Sequence, residues 1–286
     1  MIIRELNYEG KKPLLYLACT PIGNLGEMTP RAIETLKTMD AIACEDTRNS
    51  GLFLTRFGLD KPLISCHEHN EETASEKIVA LLKEGKKIAY MSDAGYPSVS
   101  DPGGRLVARC LKEGFKVAVL NGPSASLCAL VGSGLKTDHF FFYGFLDSKP
   151  SARKKELAVL KDFGDTIIFY EAPHRIGETL KNLSEIFGSE RKACLCRELT
   201  KIHEEYIRGT LSELAALDPA TLIGEIVIIV EGHEKKEIEP TEETIAALLK
   251  EKTKSLSSKE AISEVSKENA IPKNRVYEVY LRKIKK

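Results

Sequence analysis

The sequence predicts an α/β protein in two domains, the first built on a largely parallel sheet and the second on a mixed sheet, followed by a small helical C-terminal domain. Three observations predict it. Over the first 120 residues, short apolar runs alternate with amphipathic stretches closed by glycine, the pattern of β-α units on a parallel sheet. From there to about residue 233 the apolar runs lie closer together, as antiparallel pairing allows. Beyond a polar, charged stretch at 233–240, which reads as a linker, three short helical patterns follow. The domains implied are 1–120, 121–233 and 240–286. A chain of 286 residues exceeds the usual size of one core and suits two domains of about 100–150 residues with an appendage.

Strand candidates in the first domain cover residues 14–19, 41–44, 87–91 and 115–120. Thr29 followed by Pro30 reads as an N-cap and first helical residue, after which Ile33, Leu36 and Met39 recur at helical spacing. Gly58, Gly85 and Gly114 fall where left-handed helix caps are needed. In the second domain a helix is expected over 124–131, an aromatic strand over 139–143, then a basic linker and helix and a strand over 166–170. A helix over 174–187 stopped by Gly188 precedes strands near 192–197, 204–208 and 225–231. In the last domain Ser257 and Glu260 have capping-box spacing, Ala261, Ile262 and Val265 form an apolar face, and Pro272 opens the final helix. These helices resemble a helix-turn-helix bundle, an arrangement that serves simple packing as readily as nucleic-acid contact.

Composition narrows the function. Hydrophobic content of 42% and charged content of 29% are those of an ordinary water-soluble protein, and no apolar run approaches the roughly 18–20 residues of a membrane span. The opening Met1-Ile2-Ile3-Arg4-Glu5-Leu6 lacks the pattern of a signal peptide, so a cytoplasmic location is expected. Seven scattered cysteines read as reduced thiols. Cys194 and Cys196 share a strand face, and His67 and His69 flank Glu68, but neither set completes a ligand pattern, so no metal is expected. Lys plus Arg and Asp plus Glu number 42 each, a balance that opposes a basic nucleic-acid footprint. The end of the chain departs from it: Lys273, Arg275, Arg282, Lys283, Lys285 and Lys286 face only Glu278.

Four segments just past predicted strands carry residues that packing does not require, where open α/β sheets bind ligands. Thr20-Pro21-Ile22-Gly23-Asn24-Leu25 is a tight turn with neither dinucleotide nor Walker spacing. Glu45-Asp46-Thr47-Arg48 crowds two carboxylates and an arginine. In one reading Asp46 caps a helix and Glu45 pairs with Arg48; in another Arg48 meets a phosphate and a carboxylate sits near a reacting hydroxyl. The long loop 92–103 gives Asp101 and Pro102 work as N-cap and first residue of a helix, but leaves Ser92, Asp93 and Gly95 without such a task. Asn121-Gly122-Pro123-Ser124-Ala125 presents a helix N-terminus, with Ser124 able to cap it and border a ligand. In the second domain Tyr170-Glu171-Ala172-Pro173-His174-Arg175 and Arg197-Glu198-Leu199-Thr200-Lys201 also follow strands, suggesting the other face of one cleft.

These blocks, in this order, with a Gly-Glu-Ile-Val-Ile-Ile-Val-Glu-Gly run at 224–232, resemble the tetrapyrrole methylase fold family, and within it the branch that methylates small-subunit ribosomal RNA. The likeness covers about residues 14–232, and the helical tail is similar to that branch's C-terminal extension. It implies a two-domain, dimeric, tetrapyrrole-methylase-like fold that binds S-adenosyl-L-methionine between its domains and methylates the ribose 2′-hydroxyl of a cytidine in the decoding region of 16S rRNA. It also implies cofactor contacts at Pro21, Asp93, Ala94, Gly95, Ser124, Ala125, Tyr170, Gly224 and Glu225. Two residues depart from the family pattern. Asn121 stands where proline is usual, loosening a turn, and Tyr96 stands where threonine is usual, adding an aromatic for stacking on a base.

For methyl transfer to a hydroxyl, a general base is sought among Asp93, Glu45, Asp46 and Glu171. Arg48, Arg175 and Lys201 are candidates for RNA phosphates, with Arg153, Lys154 and Lys155 widening the footprint. Near-zero net charge favours an assembled small ribosomal subunit over naked RNA as partner. Two alternatives stand beside this reading: a methylase of a tetrapyrrole, other small molecule or protein residue on the same fold, and a non-catalytic RNA-binding assembly factor.

Overall fold

Five short parallel strands frame the first half of a computed structural model that describes residues 2, 4, 6–8, 14–234, 240–269 and 271–285. They are β1 (Leu14–Ala18), β2 (Ala41–Cys44), β3 (Leu63–Ser65), β4 (Ile88–Met91) and β5 (Lys116–Leu120), in the order β3-β2-β4-β1-β5. Every residue of β2 and β4 is buried, which is why both read as unbroken apolar runs. The helices α1 (Pro30–Lys37) and α2 (Thr47–Arg56) cover one face through Leu36 and Leu54. On the other, α3 (Glu71–Lys83) and α4 (Gly104–Lys112) pack Ile78 and Leu106 against Ile88 and Tyr90. Strand β3 escaped the sequence reading because three residues beside Pro62 show no period; its pairing with β2 creates it.

The second half comprises α5 (Ala125–Ser133), β6 (Phe140–Phe145), α6 (Pro150–Leu160), β7 (Thr166–Glu171), α7 (Ile176–Phe187), β8 (Lys192–Arg197), β9 (Glu205–Thr210), α8 (Leu211–Ala215) and β10 (Ile226–Val230). Its sheet runs β6-β7-β10-β8-β9, with β6 and β7 parallel and every other pair antiparallel. Helices α6, α7 and α8 cover one face. On the other, Ala129 and Leu130 of α5 pack on Ile168, Cys196 and Val227, joined by Ile22 from the turn after β1. Both sheets thus belong to one compact unit ending at His233, and a second unit begins at Glu234.

Two expectations fail here. Helix α4 does not start at Asp101 and Pro102: Gly103, at φ 123°, stands at its N-cap, and the capping acceptor is remote. Glu71 of α3 is 5% exposed, and its Oε1 accepts from the backbone N–H groups of Gly103, Arg105 and Leu106 at 3.0, 2.9 and 3.1 Å. Arg153 offers nothing to RNA. It is 0% exposed, its Nε donates to Asn182 Oδ1 at 3.0 Å, and its Nη2 lies 2.9 Å from Glu178.

The second unit packs α9 (Glu242–Lys252), α10 (Ser258–Glu268) and α11 (Lys273–Val279), which runs into a π turn at Tyr280–Ile284, around Ile245, Leu249, Val265 and Val276. Ser257 and Glu260 form the capping box. Its basic end is less bare than the sequence suggests, because Arg282 and Lys283 meet Glu242 and Glu243 at 3.2 and 3.8 Å. The expectations placed on Met1, Ile3, Glu5, residues 235–239 and Lys286 lie outside the described residues. All seven cysteines are free thiols, and no described helix is long and apolar enough to cross a membrane.

Candidate functional site

In a parallel sheet all carboxyl ends emerge on one edge, so the order β2-β4-β1-β5 brings the four singled-out loops side by side. Backbone bonds then stitch them together. Thr20 and Gly95 exchange both N–H···O bonds at 3.0 Å, which ties the turn after β1 to the loop after β4. Thr20 Oγ1 donates to the Ser92 carbonyl at 3.1 Å, and the buried Ser92 hydroxyl donates to the Gly95 carbonyl at 3.2 Å. The Cys19 thiol reaches the Pro123 carbonyl at 3.2 Å, bringing in the turn after β5. A side chain at Gly122 would sit 2.8 Å from Cys19 Cβ, so this close approach requires glycine.

Between these loops and one end of the second sheet lies a cavity of about 610 Å³. Antiparallel pairing of Ile226 with Glu171 puts the end of β7 and the start of β10 together, so Tyr170 to Pro173 and Gly224 to Val227 line one side. Phe142, Phe145 and Tyr170 form an aromatic wall, with Tyr170 edge-on to the other two at 5.0 and 5.6 Å between ring centres. Burial raises the Tyr170 phenol above its ordinary range. Opposite, Ala94 to Tyr96, Val99 to Asp101, and the first residues of α5 complete the lining. Ser124 caps that helix through Leu127 N and meets Ser126 Oγ at 3.0 Å.

Of the expected cofactor residues, Ala94, Gly95, Ser124, Ala125, Tyr170, Gly224 and Glu225 line the cavity; Pro21 and Asp93 sit beside it in chain order without lining it. The expected carboxylates divide. Glu171 borders the cavity but is 3% exposed and fully engaged: its Oε1 accepts from Ala172 N at 2.8 Å and Arg175 Nε at 2.7 Å, and its Oε2 from Thr179 Oγ1 at 2.6 Å. Asp46 caps α2 and pairs with Arg48 at 2.8 Å, so Arg48's partner is Asp46 rather than Glu45; the hydrogen bonds from Arg48 hold its carboxyl down to about 2. Glu45 and Asp93 lie off the cavity wall, where Asp93 accepts from Asn49 at 3.2 Å. Burial first, then the charge of Asp93, pushes the Glu45 carboxyl up.

The carboxylate that sequence reasoning missed is Asp101. It lines the cavity, and burial, with Glu45 and Asp93 as like charges, raises its carboxyl to about 6. The signal was present in a Ser-Asp-Pro-Gly run, but helix-cap grammar absorbed it, and only the remote cap from Glu71 releases it.

The expected RNA-binding cations are largely occupied. Arg175 serves Glu171 and the Leu146 carbonyl; Lys201 bridges Glu198 and Glu225 at 3.0 and 2.9 Å; Lys154 pairs with Glu185 at 2.7 Å. Lys155 and Arg48 are exposed. The Glu198 carboxyl is lowered by the backbone N–H of Glu225 and then by Lys201. Among the described residues no group of three or more His, Cys, Asp or Glu side chains suits a metal ion.

Tyr96 and Asn121 prove to be partners. The Tyr96 hydroxyl donates to Asn121 Oδ1 and accepts from Gly122 N at 3.3 Å. The turn that asparagine was expected to loosen is therefore tied by the other unusual residue. In a double-mutant cycle of Tyr96→Phe and Asn121→Ala, unfolding free energies from denaturant titration should show a coupling of about 0.5–1 kcal/mol. Strict additivity would mean that the two residues act separately.

The tetrapyrrole (corrin/porphyrin) methylase family profile matches residues 14–215. Ribosomal RNA small subunit methyltransferase I of Bacillus subtilis (strain 168) is 44% identical over 289 aligned residues, covering 98% of this chain and 99% of that one. The chain belongs to the ribosomal RNA small subunit methyltransferase I family. The family member from Halalkalibacterium halodurans is 43% identical, covering 94% of this chain and 95% of its own. Two solved structures share the fold of this methyltransferase I family member at low identity. Uroporphyrin-III-C-methyltransferase from Thermus thermophilus gives a TM-score of 0.56 at 19% identity, over 76% of this chain and 94% of that one. The methyltransferase CobJ gives 0.58 at 18%, over 77% and 94%. Fold similarity thus extends to methylases of other substrates, whereas the similarity to the methyltransferase I family runs through the helical unit as well.

Proposed function

We propose that this protein transfers a methyl group from S-adenosyl-L-methionine to the 2′-hydroxyl of a cytidine ribose in the decoding region of 16S rRNA, acting in the cytoplasm as a homodimer on the small ribosomal subunit. The single observation that carries the reading is the cavity, found in a chain of the methyltransferase I family and lined by seven of the nine expected cofactor residues. Its volume of about 610 Å³ suits a nucleoside-sized ligand. The donor set also fits the cofactor: aromatic rings for a purine, the α5 N-terminus for a carboxylate, and the one wall carboxylate without a partner among the described residues, Asp101, for positive charge.

When bound, S-adenosylmethionine supplies the activated methyl group. The protein's own part is positioning. The Thr20–Gly95 bridge and the Ser92 hydroxyl fix the Ala94–Gly95 turn, Ser124 fixes the start of α5, and the buried Glu171–Arg175 pair fixes the Ala172–Pro173 rim. Walls held this way favour in-line attack, and alignment alone contributes roughly 7–11 kcal/mol in well-oriented systems. For RNA phosphates the reading leaves Arg48, Lys154 and Lys155 as the exposed cations of the expected set, the first two already meeting Asp46 and Glu185, with the helical unit as a further contact. The edge strand β6 leaves Phe140 and Phe141 exposed, one on each side of the strand, an apolar edge suited to a second copy of the chain.

The test is transfer of labelled methyl from S-adenosylmethionine to small subunits from cells lacking the gene, followed by nuclease mapping. The expected result is label on one 2′-O-methylated cytidine. Label on a base, or transfer only to a tetrapyrrole or a protein, would replace the reading.

A further inference from the structure

Methyl transfer between two nucleosides requires one cavity to hold two flat rings, the purine of the cofactor and the base of the target nucleotide. Among the described residues no lysine or arginine lines the cavity. Pairing with phosphate therefore does not hold the nucleotide at the reacting centre, whereas stacking can. Tyr170 packs edge-on against Phe142 and Phe145 in the wall assigned above to the purine. Tyr96 lines the other side and, among the described residues, touches no other ring. It stands at the rim, since its hydroxyl bonds the exposed Asn121, and Val99, three residues on along the same wall, is exposed as well.

This ring is fixed before anything binds. Gly95, just before it, exchanges both backbone bonds with Thr20, and Pro97, just after it, keeps the Tyr96 backbone out of the helical region. The Tyr96 carbonyl accepts from Val99 N at 3.3 Å. The hydroxyl donates to Asn121 Oδ1 and accepts from Gly122 N, so it is spent on the turn after β5. What Tyr96 has left for the cavity is the ring itself, held without the rotamer freedom that a ligand would otherwise have to remove.

We infer that the Tyr96 ring is the platform on which the base of the target nucleotide stacks at the cavity mouth. The inference rests on the methyl transfer proposed above. A nucleotide drawn out of its RNA forfeits stacking on its neighbours, and the ring restores part of it beside the cofactor. Every base has a π-face, so Tyr96 holds the nucleotide without reading which base it is.

Tyr96→Phe and Tyr96→Leu separate the ring from the hydroxyl, because neither can bond Asn121 and only the first keeps a ring face. The methyl acceptor is the small subunit from cells lacking the gene, at saturating S-adenosylmethionine. The KM for subunits should be about 5–150-fold higher in Tyr96→Leu than in Tyr96→Phe, the range that one stacked base is worth. Between the two variants kcat and the calorimetric dissociation constant for S-adenosylmethionine should agree within about threefold, as loss of ground-state substrate binding requires. Tyr96→Met repeats the contrast with a second ringless side chain, and melting temperatures show which variants are folded at the assay temperature. Equal KM values for the ringless and phenylalanine variants would overturn the inference and leave Tyr96 as a latch between two loops. Weaker cofactor binding with an unchanged KM for subunits would overturn it by giving the ring to the cofactor, and a loss confined to kcat would overturn it by giving the ring to the reacting atoms. A wild-type protein that methylates no ribose hydroxyl would instead remove the proposed function, before any variant is made.

Discussion

Replacement of Glu71 by alanine is expected to cost about 3–5 kcal/mol of unfolding free energy, because a single buried carboxylate oxygen accepts three backbone N–H groups at the start of α4. Two of those donors, on Gly103 and Leu106, are buried and would have no water to turn to. Glu71→Gln keeps a carbonyl in place but loses the charge, so about half the loss is expected. Denaturant titration measures the totals, and hydrogen exchange at Gly103, Arg105 and Leu106 shows whether the loss is local. The same variant should weaken ligand binding in the cavity, since the loop ending at Gly103 carries Tyr96, Val99 and Asp101 on its wall. Unchanged exchange at these three amides would show that α4 is held in some other way.

The second large effect is expected at Glu171. Glu171→Ala leaves the Arg175 guanidinium, with a side chain 17% exposed, without its carboxylate. Breaking a buried pair from one side costs about 3–5 kcal/mol. In a unit of this size that corresponds to a fall in melting temperature of roughly 6–20 °C. Glu171→Gln separates structure from chemistry. Its amide still accepts from Ala172 N and Arg175, and the Thr179 hydroxyl can turn to accept from its NH₂ group. Methyl transfer by this variant should stay within a few-fold of wild type, where loss of a general base would cost about 10²–10⁴-fold. A loss of that larger size with unchanged stability would return Glu171 to the chemistry.

Local grammar was readable wherever the cause is local. The caps at Thr29, Asp46, Ser124 and Ser257 are short-range hydrogen bonds, and all four occur. The apolar runs of β2, β4 and β10 reflect burial on both faces, a property each residue carries with it. The same grammar misread α4, because the acceptor that caps it lies 32 residues away from Gly103 in the chain. It also read Arg153 as a surface cation, since nothing next to it announces Asn182 and Glu178 on a neighbouring helix.

By itself the sequence determined the two-sheet α/β class, the family, and loops that prove to border the cavity, because periodicity, caps and ordered blocks are written in consecutive residues. Only the tertiary structure decided which charged side chains in those loops are free. Glu171, Arg175, Lys201 and Arg153 find partners across strands and helices, whereas Asp101 lies among like charges with no partner among the described residues. Whether a charge is spent on the fold or left for chemistry depends on distances between residues far apart in the chain, and those exist only once it has folded.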